Sequence, residues 1–209
     1  MKIIHIITDL NTGGAEMALL NLLRGGLAKN FDTYVISLGG LGTVGPQIQK
    51  LGISVIALNM NGKLASLFGM IRLFKTVAYL RPNIIQGWMY HGNLAATLSS
   101  LITFYKVLVV WNVRHSLSDI SYEKNVMRFL IRLSKLLSYR ADKILYNSFV
   151  SKGQHEEFGF CSNKSAVIPN GIDLEKFSFS NITSTEVRSD LGIPKSAKVI
   201  GHIARLHPM

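Results

Sequence analysis

Only one cysteine, Cys161, occurs in the 209 residues. No disulfide can form within the chain, which suits a reducing, cytoplasmic compartment. Acids are also scarce, with twelve Asp and Glu against twenty-three Lys and Arg. The net charge of +11 and a pI of about 9.9 draw the chain toward anionic partners. Nucleic acid is not expected among them, because no recognition motif accompanies the charge. No apolar run is clean enough for a membrane span. The best stretch, Leu94 to Trp111, holds Ser99, Ser100, Thr103 and Lys106 and reads as a helix followed by a strand. An export signal is missing too: the apolar segment from Ile3 is short and is interrupted by His5 and Asp9. There is no internal repeat and no low-complexity tract. Absence of Gly-x-Gly-x-x-Gly argues against a nicotinamide dinucleotide. With no Asp-x-Asp and no His, Cys or carboxylate set at ligand spacing, no metal or other cofactor is expected.

What is present fits a well-buried α/β core: 48% hydrophobic residues and a mean hydropathy of +0.26. Short β-branched runs alternate with amphipathic stretches, the pattern of a doubly wound parallel sheet. Strands are predicted at Lys2–Ile7, Thr33–Leu38, Ser54–Leu58, Asn83–Gly87, Val107–Val113, Lys143–Asn147 and Ser165–Ile168. Helices are predicted at Ala15–Ala28, Val44–Leu51, Leu64–Leu80, Leu94–Thr103, Glu123–Tyr139 and Val150–Phe158. Pro82 marks the end of the third, since the residue before a proline avoids helical geometry. From Asp173 to Ser196 the chain turns polar and reads as a linker carrying a short helix, Ser184–Leu191. Val199–Ala204 then reads as the first strand of a second domain.

Three groups of residues point to chemistry. Gly13-Gly14 follows the first strand and opens a helix, where close backbone approach and free N–H groups suit a phosphate. A plain tight turn explains the same pair. His91, in Trp88-Met89-Tyr90-His91-Gly92-Asn93, sits at the carboxyl end of the fourth strand, where open α/β sheets bind ligands. A histidine there can orient or protonate a hydroxyl near neutral pH, although a lone histidine is more often structural. Arg114-His115 follows the fifth strand on the same edge, and His5, inside the first strand, reads as core. Lys124, Arg128, Arg132 and Lys135 share one face of a helix, and no acid occurs from Lys124 through Ala141. The stripe fits a solvated face or docking on anionic lipid. Basic residues around a second apolar helix, Lys63, Arg72, Lys75 and Arg81, support the lipid reading.

Gly13-Gly14-Ala15-Glu16, Ile168-Pro169-Asn170-Gly171-Ile172-Asp173 with Phe177, and Gly201-x-x-Ala204-Arg205-Leu206 together resemble glycosyltransferase family 4. Members are retaining, two-domain enzymes of the GT-B fold. The resemblance implies a Rossmann-like, acceptor-side domain over residues 1–172, an interdomain linker over 173–196, and the start of a donor-side domain over 197–209. It implies that Gly13 and Gly14 face the donor diphosphate, that Arg205 forks onto it, and that His91 lies beside the transferred sugar as the catalytic residue. It places Arg114, His115 and Asn170 on the acceptor rim of the cleft. The family's phosphate-binding Lys would fall at position 210 and its donor glutamates beyond, so the chain reads as truncated and inactive alone. The implied function is transfer of a sugar from a nucleotide-sugar substrate to a glycan or lipid-linked acceptor in cell-surface polysaccharide synthesis. The expected place is the cytoplasm, with peripheral contact at the inner face of the plasma membrane. A nucleotide-sugar epimerase, a sugar-phosphate synthase, and a non-catalytic membrane- or partner-binding fragment remain open.

Overall fold

All seven β-branched runs pair into one sheet in the computed structural model, which describes residues 1–172, 174, 181–194 and 196–202. The strands are β1 (Lys2–Ile7), β2 (Asp32–Ser37), β3 (Ser54–Ala57), β4 (Ile84–Trp88), β5 (Leu108–Val113), β6 (Lys143–Tyr146) and β7 (Ser165–Val167). Their order is β3-β2-β1-β4-β5-β6-β7, and every pairing is parallel. Parallel strands need crossovers, and helices supply them. The helices are α1 (Gly14–Arg24), α2 (Leu27–Asn30), α3 (Gly45–Gln49), α4 (Lys63–Leu80), α5 (Met89–Leu101), α6 (Asn125–Leu137) and α7 (Phe149–Phe158), with α8 (Asn181–Asp190) beyond the sheet.

Alternation along the strands builds two cores. Ile4, Ile6 and Ile36 pack with Leu73 and Val77 of α4, Ala95 and Ala96 of α5, and Ile131 of α6. Ile7 and Val35 turn to the other face and pack with Leu19, Leu20 and Leu23 of α1 and Ile48 of α3. Each such Ile, Leu or Val side chain, fully buried, contributes about 1.5–3 kcal/mol. A strand buried on both faces needs apolar residues at consecutive positions, and β1 has them in Ile3, Ile4, Ile6 and Ile7.

Two helix boundaries differ from expectation. The predicted Ala15–Ala28 helix is cut at Gly25-Gly26, where Gly26 adopts φ 97°, leaving α1 and the short α2. The fourth crossover helix starts at Met89 rather than Leu94, directly after β4. Gly92 permits this early start, because its first turn lies against β1. Cys161 is buried, and its Sγ donates to Asn163 Oδ1, 2.9 Å away.

The chain divides into two compact units, Met1–Gly171 and Ile172–Met209. In the second, α8 occupies part of the segment that reads as linker, and Ile193 N donates to Arg188 O beyond its end. Residues 199–202 lie outside any strand. The remainder of the predicted strand, and Arg205, lie outside the described residues.

Candidate functional site

The strand order reverses between β1 and β4: β2 and β3 lie on one side, and β5, β6 and β7 on the other. In such sheets the connections diverge at the carboxyl ends of the two central strands and leave a crevice for a ligand. Ile7 pairs with Trp88 at that end. The Gly13–Gly14 loop leaves from β1 and His91 from β4, so the two flank the crevice.

The loop after β1 is pinned by its own polar atoms. Asn11 N donates to Asp9 Oδ1 at 2.8 Å, and Thr12 Oγ1 lies 2.7 Å from Thr43 Oγ1. Gly42, at φ 50°, brings the neighbouring loop so close that a Cβ there would fall 2.3 Å from the Leu10 backbone. Gly13 is extended, at φ −157°, a conformation open to any residue. A Cβ there would meet Glu16 Oε2 at 2.3 Å, the far end of a flexible side chain that can move aside. Thus the Glu16 carboxylate folds back over the start of α1, where burial raises its pKa. A diphosphate at this helix start would meet that carboxylate, which must swing aside. Gly14 has nothing within 4 Å of a Cβ position.

His91 stands in the first turn of α5, half-buried. Its neighbours lock the turn by pointing inward. Trp88 is 1% exposed and Tyr90 2%, while Asn93 is fully buried with its Oδ1 accepting from Asn112 N. Met89 turns the chain sharply from strand to helix at φ 60°, a left-handed conformation unusual for a non-glycine. His91 is thereby left facing away from these anchors, and among the described residues neither ring nitrogen has a hydrogen-bond partner. Burial lowers its pKa, so the ring is neutral at pH 7.

The structure separates the expected rim residues. Arg114 and Asn170 come together: Arg114 Nη1 donates to Asn170 Oδ1, and the guanidinium carbon lies 5.2 Å from the centroid of the Trp88 ring. Trp88 Nε1 in turn donates to His5 Nδ1 at 3.2 Å. His115 turns elsewhere. Its Nε2 is 2.7 Å from Glu123 Oε1, and its ring meets the edge of Tyr90 at 5.8 Å. Below it lies a buried relay. His155 Nδ1 sits 2.7 Å from Ser151 O, which can only accept, so Nδ1 carries the proton. Nε2 is then the acceptor, and the Tyr90 hydroxyl donates to it across 2.7 Å. Burial, the largest influence, lowers the His155 pKa to about 4, while it raises that of Tyr90. Trp88, Tyr90, Glu123 and His155 went unrecognised from sequence as partners. The pairs are up to 83 residues apart, as for Trp88 and His5, and no spacing announces them.

The basic stripe is divided by its own contacts. Arg128 Nε donates to Glu123 O at 2.7 Å, and its Nη2 donates to Ser121 O at 3.1 Å. Lys135 lies with Nζ 5.3 Å from the Phe158 ring. Lys124 and Arg132 remain exposed. Beside them the outer face of α6 carries Val126, Phe129 and Leu136, which are also exposed rather than packed. On α4, Leu64, Leu67, Phe68 and Ile71 form a second exposed apolar stripe.

A cavity of about 330 Å³ opens between the loop after β5 and α7, with Asp119, Ile120, Gln154 and Phe158 in its walls. It takes no wall from the Gly13–Gly14 loop or His91. Among the described residues, no three His, Cys, Asp or Glu side chains gather as a metal site, and no helix is long and apolar enough to cross a membrane.

Known proteins share this fold. Anabaena HepE in complex with UDP superposes with a TM-score of 0.76 at 19% identity, over 92% of this chain and 50% of that one. The lipopolysaccharide outer core galactosyltransferase WaaB gives 0.62 at 16%, over 83% and 47%. UDP-GlcNAc 2-epimerase from Methanocaldococcus jannaschii gives 0.56 at 17%, over 81% and 46%. A D-inositol 3-phosphate glycosyltransferase of Corynebacterium urealyticum is 44% identical over 69 residues, 32% of this chain and 16% of the relative. The chain therefore spans about half the length of these structures. The sequence model of Glycosyltransferase Family 4 matches residues 12–176, most of the chain, and the chain belongs to that family.

Proposed function

We propose that this chain supplies the acceptor-side half of a retaining glycosyltransferase that moves a sugar from a nucleotide donor to a glycan or lipid-linked acceptor. The observation that carries this reading is the pairing of the glycine loop and His91 across the crevice between β1 and β4. HepE was solved with UDP, and in another crystal with UDP-glucose, which supports a nucleotide-sugar donor here. His91, neutral and without a hydrogen-bond partner among the described residues, is suited to accept a hydrogen bond from, or donate one to, a sugar hydroxyl beside the reacting carbon. Backbone N–H groups at Gly14, once Glu16 moves off, would meet charge on the leaving diphosphate, with Arg205 as the expected contribution of the second domain. No metal is invoked in this scheme.

Peripheral attachment to an anionic membrane and a role in cell-surface polysaccharide synthesis extend the proposal. The exposed apolar and basic residues of α6 and α4 support the first. The likeness to WaaB, a lipopolysaccharide galactosyltransferase, supports the second.

An epimerase on the same scaffold is the competing reading, favoured by the likeness to the archaeal 2-epimerase. One assay separates the two. The enzyme carrying both domains is incubated with isotope-labelled nucleotide sugars and a membrane extract. Label in a glycan or lipid-linked product is expected. Label recovered only as an epimerised nucleotide sugar, or only as free nucleotide sugar, overturns the transferase.

A further inference from the structure

Met89 holds φ 60° without being a glycine, and a side chain in that left-handed region costs energy that the surroundings must offset. The strained turn carries His91, two residues on, and three side chains fasten it. Trp88 is tied to His5 of β1, and Asn93 to the backbone of β5, the two strands that flank β4. The third anchor, Tyr90, is the one next to His91, and it reaches past the neighbouring strands. Its hydroxyl donates to His155 Nε2 on α7, the crossover helix between β6 and β7.

His155 is itself fixed. Its Nδ1–H donates to Ser151 O at 2.7 Å, and its ring centroid lies 4.9 Å from that of Phe160 and 5.3 Å from that of Tyr146. Two more residues of α7 grip the loop after β5. Gln154 Oε1 accepts from Leu117 N at 2.8 Å, and Ser151 Oγ donates to His115 O at 2.6 Å. Residues 151, 154 and 155 share one helical face, so a single polar stripe meets both the loop and Tyr90. Tyr90 and His155 are 2% and 0% exposed. At such a place a Phe–Leu pair would fill the space without desolvating a hydroxyl and an imidazole. What a hydrogen bond supplies and packing does not is direction. With the tautomer set by Ser151 O, one lone pair receives one hydroxyl, and the Tyr90 side chain has one place to lie.

We propose that His155 is a positioning residue for His91, acting through the Tyr90 hydroxyl. The inference rests on the transferase reading and adds to it a buried residue of α7 that touches no substrate. The chemistry belongs to His91. Tyr90 and His155 hold its turn in the conformation that aims the ring at the crevice.

The test compares Tyr90→Phe, His155→Leu and the double variant in the two-domain enzyme, with the labelled nucleotide sugar and membrane extract of the transfer assay. Each single variant strands one buried polar group and should lower both stability and kcat. The double variant removes both groups at similar volume, so its urea midpoint should return toward wild type. Its kcat should stay down by about tenfold or more, because the direction is lost. KM for the donor should stay within about twofold, since the clamp acts on the β4 turn and not on the glycine loop of β1. His155→Gln, whose amide oxygen can accept from Tyr90, should recover part of the kcat that His155→Leu loses. A kcat that recovers together with stability in the double variant would make the pair structural and overturn the proposal. Equal kcat in His155→Gln and His155→Leu would do the same. Nuclear magnetic resonance on the 209-residue chain separates this proposal from the one beneath it. In the double variant the His91 and Gly92 amides should broaden by microsecond-to-millisecond exchange, while Val110 and Ile144 in the sheet stay sharp. Sharp His91 and Gly92 amides there overturn the clamp, whatever the enzyme transfers. Broadened amides, with no sugar transfer by the wild-type two-domain enzyme, sink the transferase alone.

Discussion

At Gly92 a Cβ atom would sit 2.4 Å from the Ile6 carbonyl oxygen, and at Gly87 one would sit 2.5 Å from Asn93 Cα. These two glycines let the first turn of α5 rest directly on β1 and β4, which fixes where His91 projects. Gly92→Ala should therefore destabilise the protein by roughly 1–3 kcal/mol, the usual range for overpacking. Gly14→Ala, whose Cβ meets nothing, should change stability by no more than about 0.5 kcal/mol. Urea denaturation of both variants checks this, and equal losses would contradict it. The His91 ring makes no hydrogen bond among the described residues. In the two-domain enzyme His91→Ala should lower kcat by about 10²-fold or more, a normal share for a positioned acid–base or orienting group. A kcat equal to wild type, with normal stability, would return His91 to a structural role. Nothing in the sequence separates these glycines from ordinary turn glycines, because the clash that demands them involves a strand 86 positions away in the case of Gly92 and Ile6.

α6 shows how an element can be predicted correctly while its faces are assigned too simply. Its helical period and lack of acids are legible in the sequence. The apolar residues beside its basic stripe are not all inward, since Phe129 and Leu136 are 64% and 70% exposed. Arg128 and Lys135 are engaged within the protein, so the charge offered to a surface is chiefly that of Lys124 and Arg132. If α6 docks on anionic lipid, each of those two should contribute about 1 kcal/mol. Lys124→Gln with Arg132→Gln should then weaken binding to anionic vesicles by about thirtyfold. Phe129→Ser with Leu136→Ser should weaken it too, at little cost to the fold, because neither side chain is buried. Vesicle flotation at low and high salt is the measurement, and wild-type binding should fall as salt rises. Wild-type protein that ignores anionic vesicles at low salt would make the stripe a solvated face. The α1–α2 break is a second case at this scale: helical spacing runs through Gly25-Gly26, but two adjacent glycines ended the helix.

On the scale of the whole molecule, two buried histidines make stability depend on pH. Burial, the dominant influence at both, lowers His5 and His155 from 6.5 to about 4. Between those values the unfolded chain binds protons that the folded chain refuses, so stability falls as pH drops from about 6.5 toward 4. Above about 6.5 both states are neutral at these sites and the effect vanishes. The urea midpoint should be lower at pH 5 than at pH 7.5, and equal midpoints would disprove the linkage. A chain that spans half of its structural relatives should also bind donor poorly. Calorimetry with UDP- and GDP-sugars is expected to give a Kd weaker than about 10 μM, roughly 7 kcal/mol of binding. A tighter constant would show that the first unit suffices for the nucleotide. The sequence by itself determined the doubly wound parallel sheet, since apolar runs of strand length alternating with helical periods admit few other packings. It also determined the family, through local motifs such as Gly13-Gly14-Ala15-Glu16 and Ile168–Asp173. Only the tertiary structure decided which residues act together. It joined Arg114 to Trp88 and Asn170, turned His115 to Glu123, and laid Glu16 over the start of α1. Local periodicity is written in neighbours along the chain, whereas a site is assembled from loop ends that meet only once the strands have taken their order.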